Sequence, residues 1–360
     1  MTRILVVGGG SIGQRHMKNF LAQGCEVEGV EPKEDVRNEV IKEIGIPVHE
    51  DLHKALEGDF VAAVIGTPAR FHIECALECA KKGLHILCEK PLCLDFEEVH
   101  PKEDAAQQKL RTQREQKNLK DLFKLIEEKK LVAMIGYMNR HSEPVKKIKE
   151  LIEQKVVGDP VAFHSENSHS ANLMHLGHPP DSWFIGHKEM GGDTMLEDSH
   201  GINLLLHIGG GIESVMCMTG KVTDITTTSN DNAELILKFK NGVYGTAHTD
   251  LFCNQSRAHF LVRCTEGTIL WDRQGDNDVV VMRVDEGKVK HEKVHSMKEK
   301  RDQWFINEEK LFLECIQQGK LPPLEYNLRS GYETMKVIMA ASLSNKEGRT
   351  VKVDEIFSPY

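Results

Sequence analysis

The sequence predicts an α/β chain: a doubly wound parallel sheet at the N-terminal end, followed by an α+β domain built on a large, mostly antiparallel open sheet. Three observations predict it. The chain enters through "RILVVGGGSIGQRHMKNFLAQG", an apolar strand, a glycine turn and an amphipathic helix. Strand and helix then alternate to about residue 136, the pattern of right-handed βαβ units. Beyond residue 160, segments alternate polar and apolar at period two, with turns at "KNG" and "DEG".

A chain of 360 residues exceeds the usual size of a single core, and the pattern change divides it into domains at 1–136 and 137–360. An apolar fraction of 40% with 28% charged residues is that of a folded globular protein. A net charge of −9 argues against nucleic acid or an anionic membrane as partner. No apolar run reaches the length of a membrane span, and no hydrophobic leader precedes the first strand. Nine cysteines without a CxxC pair point to reduced thiols in a cytoplasmic setting and away from a structural zinc site.

Each element of the first half has a stated job. Gly8, Gly10 and Gly13 form GxGxxG: a tight turn, a close approach for pyrophosphate, and close packing of helix on strand. Ser11 and Ile12 open the helix, whose free N–H groups suit phosphate; this is the Rossmann pattern. Glu31 ends the second strand, where an acid hydrogen-bonds ribose hydroxyls, so NAD is favoured; Lys33 and Arg37 nearby keep NADP open. "FVAAVIGTP" (60–68) ends on Thr67 and Pro68, before a helix carrying His72. "LHILCEKP" ends on Glu89 and Lys90, charges that a parallel sheet delivers to its ligand-binding edge, and Pro91 fixes the exit, with a cis Lys90–Pro91 bond as one way to do so. The charged run at 97–120 is a solvated helical excursion, with a partner-binding helix as the alternative. "LVAMIGYMNR" (131–140) is a further buried strand that delivers Asn139, Arg140 and His141.

In the second half, five or more strands form the antiparallel sheet, and two terminal helices pack on the domains. A sheet with one broad apolar face commonly buries it in an oligomer, so a homodimer or homotetramer is expected. The segment 181–210 is not scaffold-like. Gly191-Gly192 precede a helix with Glu197, Asp198, His200 and Asn203, and Glu197 with His200 at i and i+3 share a face. A carboxylate beside a histidine suits general base catalysis; the plainer reading is a capped helix whose His200 bonds a carbonyl. His164, His169, His175 and His178 form a histidine-rich stretch that suits either polyol hydroxyls or a metal, and the hydroxyl reading is preferred, with no metal site.

Taken together, "GGGSIGQRH", "GTPARFHIECALECAKKGLHILCEKP", "GYMNRHSEPVKKIKELI" and a tryptophan followed by GG and E-x-SH resemble the glucose–fructose oxidoreductase / inositol dehydrogenase / rhizopine catabolism (Gfo/Idh/MocA) family. The motifs span about residues 3–210. The resemblance implies an NAD(P)-dependent oxidoreductase acting on sugars or polyols, with Gly8, Gly10 and Gly13 on pyrophosphate and Glu31 on the adenosine ribose. It implies that Thr67, Pro68 and His72 lie beside the cofactor, that Glu89 meets the nicotinamide ribose, and that Trp183 helps enclose it. Lys90 would sit between nicotinamide and substrate, Glu197 would bind substrate, and His200 would be the catalytic histidine. Three positions depart from the family: Phe184 stands where many members have arginine, Asp193 replaces the third glycine of GGG, and E-D-S-H is one residue shorter than D-x-G-x-H. The last leaves either Glu197 or Asp198 as partner of His200, in a form that looks like a subgroup acting on sugars and amino sugars.

The expected reaction is hydride transfer at a carbinol carbon, with His200 as acid/base, Lys90 steadying the alkoxide, and Asn139, Arg140, His141, His169, His175, His178 and Asp198 contacting substrate. A redox-neutral lyase or glycosidase working through a transient keto-sugar is the alternative. A non-catalytic NAD-binding sensor or scaffold ranks below both, having no use for a positioned base.

Overall fold

Strand β1 (Arg3–Val7) is covered on both faces, since Ile4 to Val7 are all buried, as a central parallel strand must be. Helix α1 (Ser11–Ala22) buries Gly13, His16, Met17 and Phe20, one stripe of a 3.6-residue period. The order continues through β2 (Glu26–Val30), α2 (Glu34–Ile44), β3 (Val48–His49), α3 (Leu52–Ala55), β4 (Ala62–Ile65), α4 (His72–Lys81), β5 (His85–Glu89), α5 (Ala105–Glu128) and β6 (Ala133–Gly136). The chain is seen in a computed structural model that describes residues 2–96, 103–171, 184–225, 228–272 and 278–360.

All six strands pair in parallel, in the order β3-β2-β1-β4-β5-β6. That order reverses direction between β1 and β4, and ligands bind past the carboxyl ends at such a point. Glu89 and Gly8 both lie at that edge, at the ends of β5 and β1. The charged excursion is less solvated than expected. Asp104 caps α5 in a reciprocal pair with Gln107. Arg111 is buried because Glu103 (2.9 Å) and Glu115 (3.3 Å) meet its charge, and the Thr112 hydroxyl donates to the Phe96 carbonyl at 2.6 Å.

The second unit begins at Met138. Ser142 caps α6 (Glu143–Glu153), and β7 (Pro160–Ser170) follows. Then come α7 (Thr194–Glu197), α8 (Ser199–Gly209), β8 (Ile212–Gly220), β9 (Asn232–Phe239), β10 (Tyr244–Asp250), β11 (Phe252–Cys264), β12 (Gly267–Asp272), β13 (Val279–Asp285) and β14 (Lys288–His295). With β15 (Val351–Lys352) they form one sheet of nine strands, β14-β13-β12-β11-β7-β10-β9-β8-β15, antiparallel except for the β7–β10 pair. The hairpin turns fall at Gly242 and Gly287, both at positive φ.

The terminal helices α9 (Arg301–Gln318) and α10 (Leu328–Glu347) correct the expected domain limits. The first unit takes Phe305–Tyr332 and Pro359–Tyr360 as well as Met1–Tyr137, and the second holds Met138–Trp304 and Glu333–Ser358. The reason lies in packing: Phe312, Leu313 and Cys315 of α9 join the core around Ile4 and Val6, and Tyr332 packs against Phe96 and Phe123. Among the described residues no helix is long and apolar enough to cross a membrane.

Candidate active site

The first unit presents a glycine loop shaped for a phosphate. Gly8 takes φ +111°, and a Cβ there would lie 2.6 Å from the Gly66 carbonyl oxygen. A Cβ on Gly13 would run into the Gly8 carbonyl oxygen, so the third glycine is needed for loop and helix to close up. At Gly10 a Cβ would meet nothing within 4 Å: this position faces open space. Helix α1 starts there without a side-chain cap, leaving the N–H groups around Ser11 and Ile12 for an anion. These are the features a dinucleotide pyrophosphate requires, and the residues present fit it.

Glu31 stands one strand over. Its carboxylate accepts from the Gly9 N–H (2.8 Å) and the Lys33 N–H (3.0 Å), which fixes it beside the loop. Nη1 of Arg37 donates to the Glu31 and Pro32 carbonyls at 2.8 and 3.0 Å.

At the end of β5, Glu89 is buried and Lys90 half-buried, and the Lys90–Pro91 bond is cis. One Glu89 oxygen lies 3.0 Å from Nε2 of His16, and the other accepts from the Lys90 N–H at 3.2 Å. Burial would push this carboxyl up, but the His16 bond and charge and the Lys90 charge bring it below its ordinary range. Thr67 is half-buried and Pro68 exposed at the end of β4. His72 differs from expectation. It is buried, with Nδ1 and Nε2 each 2.7 Å from a carbonyl oxygen, of Pro91 and of Thr67. Both nitrogens are thus spent on main chain, and His72 straps two ligand-side loops together rather than facing a ligand.

In the second unit, the expected single helix over Glu197–His200 is two helices. Asp198 (φ −99°, ψ 23°) breaks them, so Glu197 ends α7 while His200 lies in the first turn of α8. Asp193, at the place of a family glycine, caps α7: its carboxylate accepts from the Met195 N–H (2.9 Å) and the Asn230 amide (3.0 Å). Glycine at 201 lets α8 lie close on β7, since a Cβ would stand 2.7 Å from Ser165 Oγ and 2.9 Å from Asn167 Nδ2. Ser165, Asn167 and His169 alternate along one side of β7 and so face this helix. Asp198 is buried, accepts from Thr249 Oγ1 at 3.0 Å, and lies 3.7 Å from His169 Nε2. Asp198, His169 and Asn167 therefore form a polar wall of donors and acceptors, and His200 lies in the first turn of the helix that follows Asp198.

Not every expected residue joins that wall. His164 points to the opposite side of β7 from His169 and lies 2.9 Å from Thr246 Oγ1, which separates two members of the histidine stretch. Asn139, Arg140 and His141 are all buried, on a short helical turn (Met138–His141) rather than on the end of an extended strand, because β6 stops at Gly136. Burial, then the charges of Arg140, Lys146 and His207, push the His141 pKa well down. The Asn139 amide is buried with neither of its polar atoms bonded. Trp183, His175 and His178 lie outside the described residues. No group of three or more His, Cys, Asp or Glu side chains among the described residues could hold a metal ion.

Sequence reasoning missed His16, Glu309, Ser165, Asn167 and Thr249. His16 could have been found, as a polar residue on the apolar stripe of α1.

Comparison with known proteins places these features. Residues 2–116 match the family model described as an oxidoreductase family with an NAD-binding Rossmann fold, and residues 145–270 match the GFO/IDH/MocA C-terminal domain. Together the two matches cover more than half of the chain. A myo-inositol 2-dehydrogenase of Thermotoga maritima is 25% identical over 98% of this chain and 99% of its own length. A 2,7-anhydro-N-acetylneuraminate hydratase of Escherichia coli is 24% identical over 81% of each chain. Among solved structures, a levoglucosan dehydrogenase in complex with NADH and levoglucosan superposes with a TM-score of 0.83 at 18% identity, over 98% of this chain and 99% of that one.

Proposed function

The chain belongs to the Gfo/Idh/MocA family of NAD(P)-dependent oxidoreductases, with that family's NAD-binding Rossmann domain, and from that premise we propose that it transfers a hydride between nicotinamide and a carbinol carbon of a sugar, amino sugar or polyol. The observation that carries the reading is the Glu89–Lys90 pair: a fixed carboxylate and a half-buried cation at the ligand edge of the parallel sheet, level with an open glycine loop. When bound, the nicotinamide supplies the hydride acceptor or donor.

This chain's own residues do the rest. Lys90 donates to the alkoxide as charge grows on the substrate oxygen, the place where a preorganised cation is most effective. His200 takes the hydroxyl proton, or returns it in the reductive direction. Glu197 or Asp198 orients His200 or a neighbouring hydroxyl, and Asp198, which accepts from Thr249 and lies 3.7 Å from His169 Nε2, holds His169 for substrate. Asn139 offers a buried amide to a hydroxyl. Glu31, fixed beside the glycine loop, favours NAD over NADP because its carboxylate would repel a 2′-phosphate.

Net oxidation is preferred to a redox-neutral reaction because the relative matched end to end is a dehydrogenase, whereas the hydratase matches over a smaller share. A homodimer or homotetramer accounts for the exposed Met216, Met218, Ile236 and Tyr244, which share one face of β8–β10. A cytoplasmic location suits nine free cysteines.

The test is absorbance at 340 nm with NAD or NADP and a panel of polyols, aldoses, amino sugars and glycosides. A rise with one substrate class is expected. Protein that carries NAD through purification, consumes a glycoside and releases no NADH would replace this reading with the redox-neutral one.

A further inference from the structure

Helix α1 carries a buried ionic group in its second turn, just past the glycine loop. His16 has no exposed surface; its Nδ1 lies 2.7 Å from Glu309 Oε1 and its Nε2 3.0 Å from Glu89 Oε1. A neutral imidazole has a single N–H, and its other nitrogen would set a lone pair against a carboxylate. Two carboxylates on two ring nitrogens therefore call for two N–H donors, which is an imidazolium. Glu309 is held in turn by the Asn19 amide (3.1 Å) and the Gln23 amide (2.9 Å), further along the same helix. On the other side, a Cβ on Gly136 would stand 2.9 Å from Glu89 Cδ, so β6 leaves room for this carboxylate beside it.

Stability alone is a poor reason for such a group. Apolar residues of similar volume in place of buried ion pairs are often neutral or stabilising. Its position suggests another: it joins the helix that opens at the glycine loop to the strand end that carries Lys90.

We propose that Glu309 and His16 are positioning residues for the Glu89–Lys90 strand end, holding it in register with the helix on which the dinucleotide pyrophosphate sits. Glu309 fixes the imidazolium, the imidazolium fixes Glu89, and Glu89 fixes the Lys90 main chain. Seating the dinucleotide and placing Lys90 are then one mechanical event. The inference rests on the reading of Lys90 as the cation that meets the alkoxide.

The charged groups facing His16 are Glu89 from β5 and Glu309 from α9, while the rings of Phe20 and Phe305 close its sides. Lys90 acts on Glu89, and the thiols of Cys25 and Cys88, both pushed up by burial, lie near Glu309 and Glu89 respectively. Burial alone would lower the His16 pKa; the bonds and charges of Glu309 and Glu89 raise it to about 10.

The experiment needs no substrate. Histidine-labelled wild type and Glu309→Gln are followed by NMR, and NADH binding by fluorescence, from about pH 6 to about pH 9. In the wild type, the His16 ring signals should remain those of an imidazolium across the range, with NADH affinity level. In Glu309→Gln, His16 should titrate within the range and NADH affinity should fall about tenfold as it does so, the effect of releasing one charged hydrogen bond. A wild-type His16 that titrates near neutrality overturns the proposal. So does a variant whose His16 titration moves while NADH affinity stays level, the signature of a purely structural cluster. Should Glu309→Gln not fold, His16→Gln, which still donates one bond, takes its place: affinity about tenfold lower at every pH is expected, and wild-type affinity overturns the proposal. Because neither readout uses substrate, a substrate panel without turnover would count against the proposed reaction and leave these curves to speak for the positioning chain.

Discussion

His16 in the first unit and His141 in the second are both buried, at 0% and 4% exposure, and they are driven in opposite directions. Burial lowers both. Two carboxylates reverse it for His16 and raise it to about 10, whereas Arg140, Lys146 and His207 add to it for His141. His207 follows His141, brought down to about 3 by burial and by Lys149 and Arg140. The difference teaches that partners, not depth, decide a buried imidazole's charge. The contrast also separates two tasks. At His16 a proton is locked in place and its charge holds a strand end. At His141, as at His72 of the first unit, burial favours the neutral imidazole.

The largest effect that would break this division is at Lys90. Lys90→Met should cut turnover by about 10³-fold or more, since it removes the donor to the developing alkoxide. NADH affinity, read by fluorescence, should stay near the wild-type value; full activity in this variant would take Lys90 out of the reaction. His200→Ala should cost about 10²–10⁴-fold near neutral pH, the usual worth of a positioned base. Its loss should shrink toward alkaline pH as solvent base takes over, so a pH–rate profile parallel to the wild type would point to another base.

Stability sharpens the same contrast. A histidine raised from its ordinary 6.5 to about 10 adds stability that is whole below pH 6.5 and is lost as pH rises through 10. The lowered Glu89 acts the other way, adding stability above its ordinary 4.5 that is lost as pH falls. Urea midpoints should therefore decline on both sides, and His16→Gln should flatten the alkaline limb. An unaltered limb would place the raised titration elsewhere. The smallest expected effect is in the second unit, where no charge is at stake. Gly201→Ala forces a methyl against Ser165 and Asn167 and should cost about 1–3 kcal/mol, measured as a shift in the urea midpoint. A neutral result would mean that α8 does not need its close approach to β7.

Local chemistry was legible in the sequence, and pairing between distant segments was not. The glycine loop, Glu31 and the Glu89–Lys90 strand end announce themselves because each is a short motif whose spacing follows from strand and helix geometry. The antiparallel sheet was legible from period two and its turns, although nothing in that pattern gives the parallel β7–β10 pair. The helix break at Asp198 escaped because i, i+3 spacing assumes an unbroken helix, and a backbone kink leaves no periodic trace. Glu309 escaped for another reason: it lies 293 residues after His16, and no spacing rule reaches that far. A faint sign existed. On α9, Glu309 stands among Phe305, Phe312 and Leu313, an acid on an apolar stripe, as His16 is a base on the stripe of α1. Two opposite charges misplaced in this way on two core-facing helices are a reason to look for their meeting.

The most direct test follows the hydride itself. A substrate that turns over in the panel would be prepared with deuterium on its carbinol carbon and incubated with NAD, and the released coenzyme examined by mass and NMR. The account predicts deuterium at C4 of NADH, in proportion to keto product, and none with Lys90→Met. Product formed with the label retained on the sugar or lost to water, and unlabelled NADH or none at all, would contradict it.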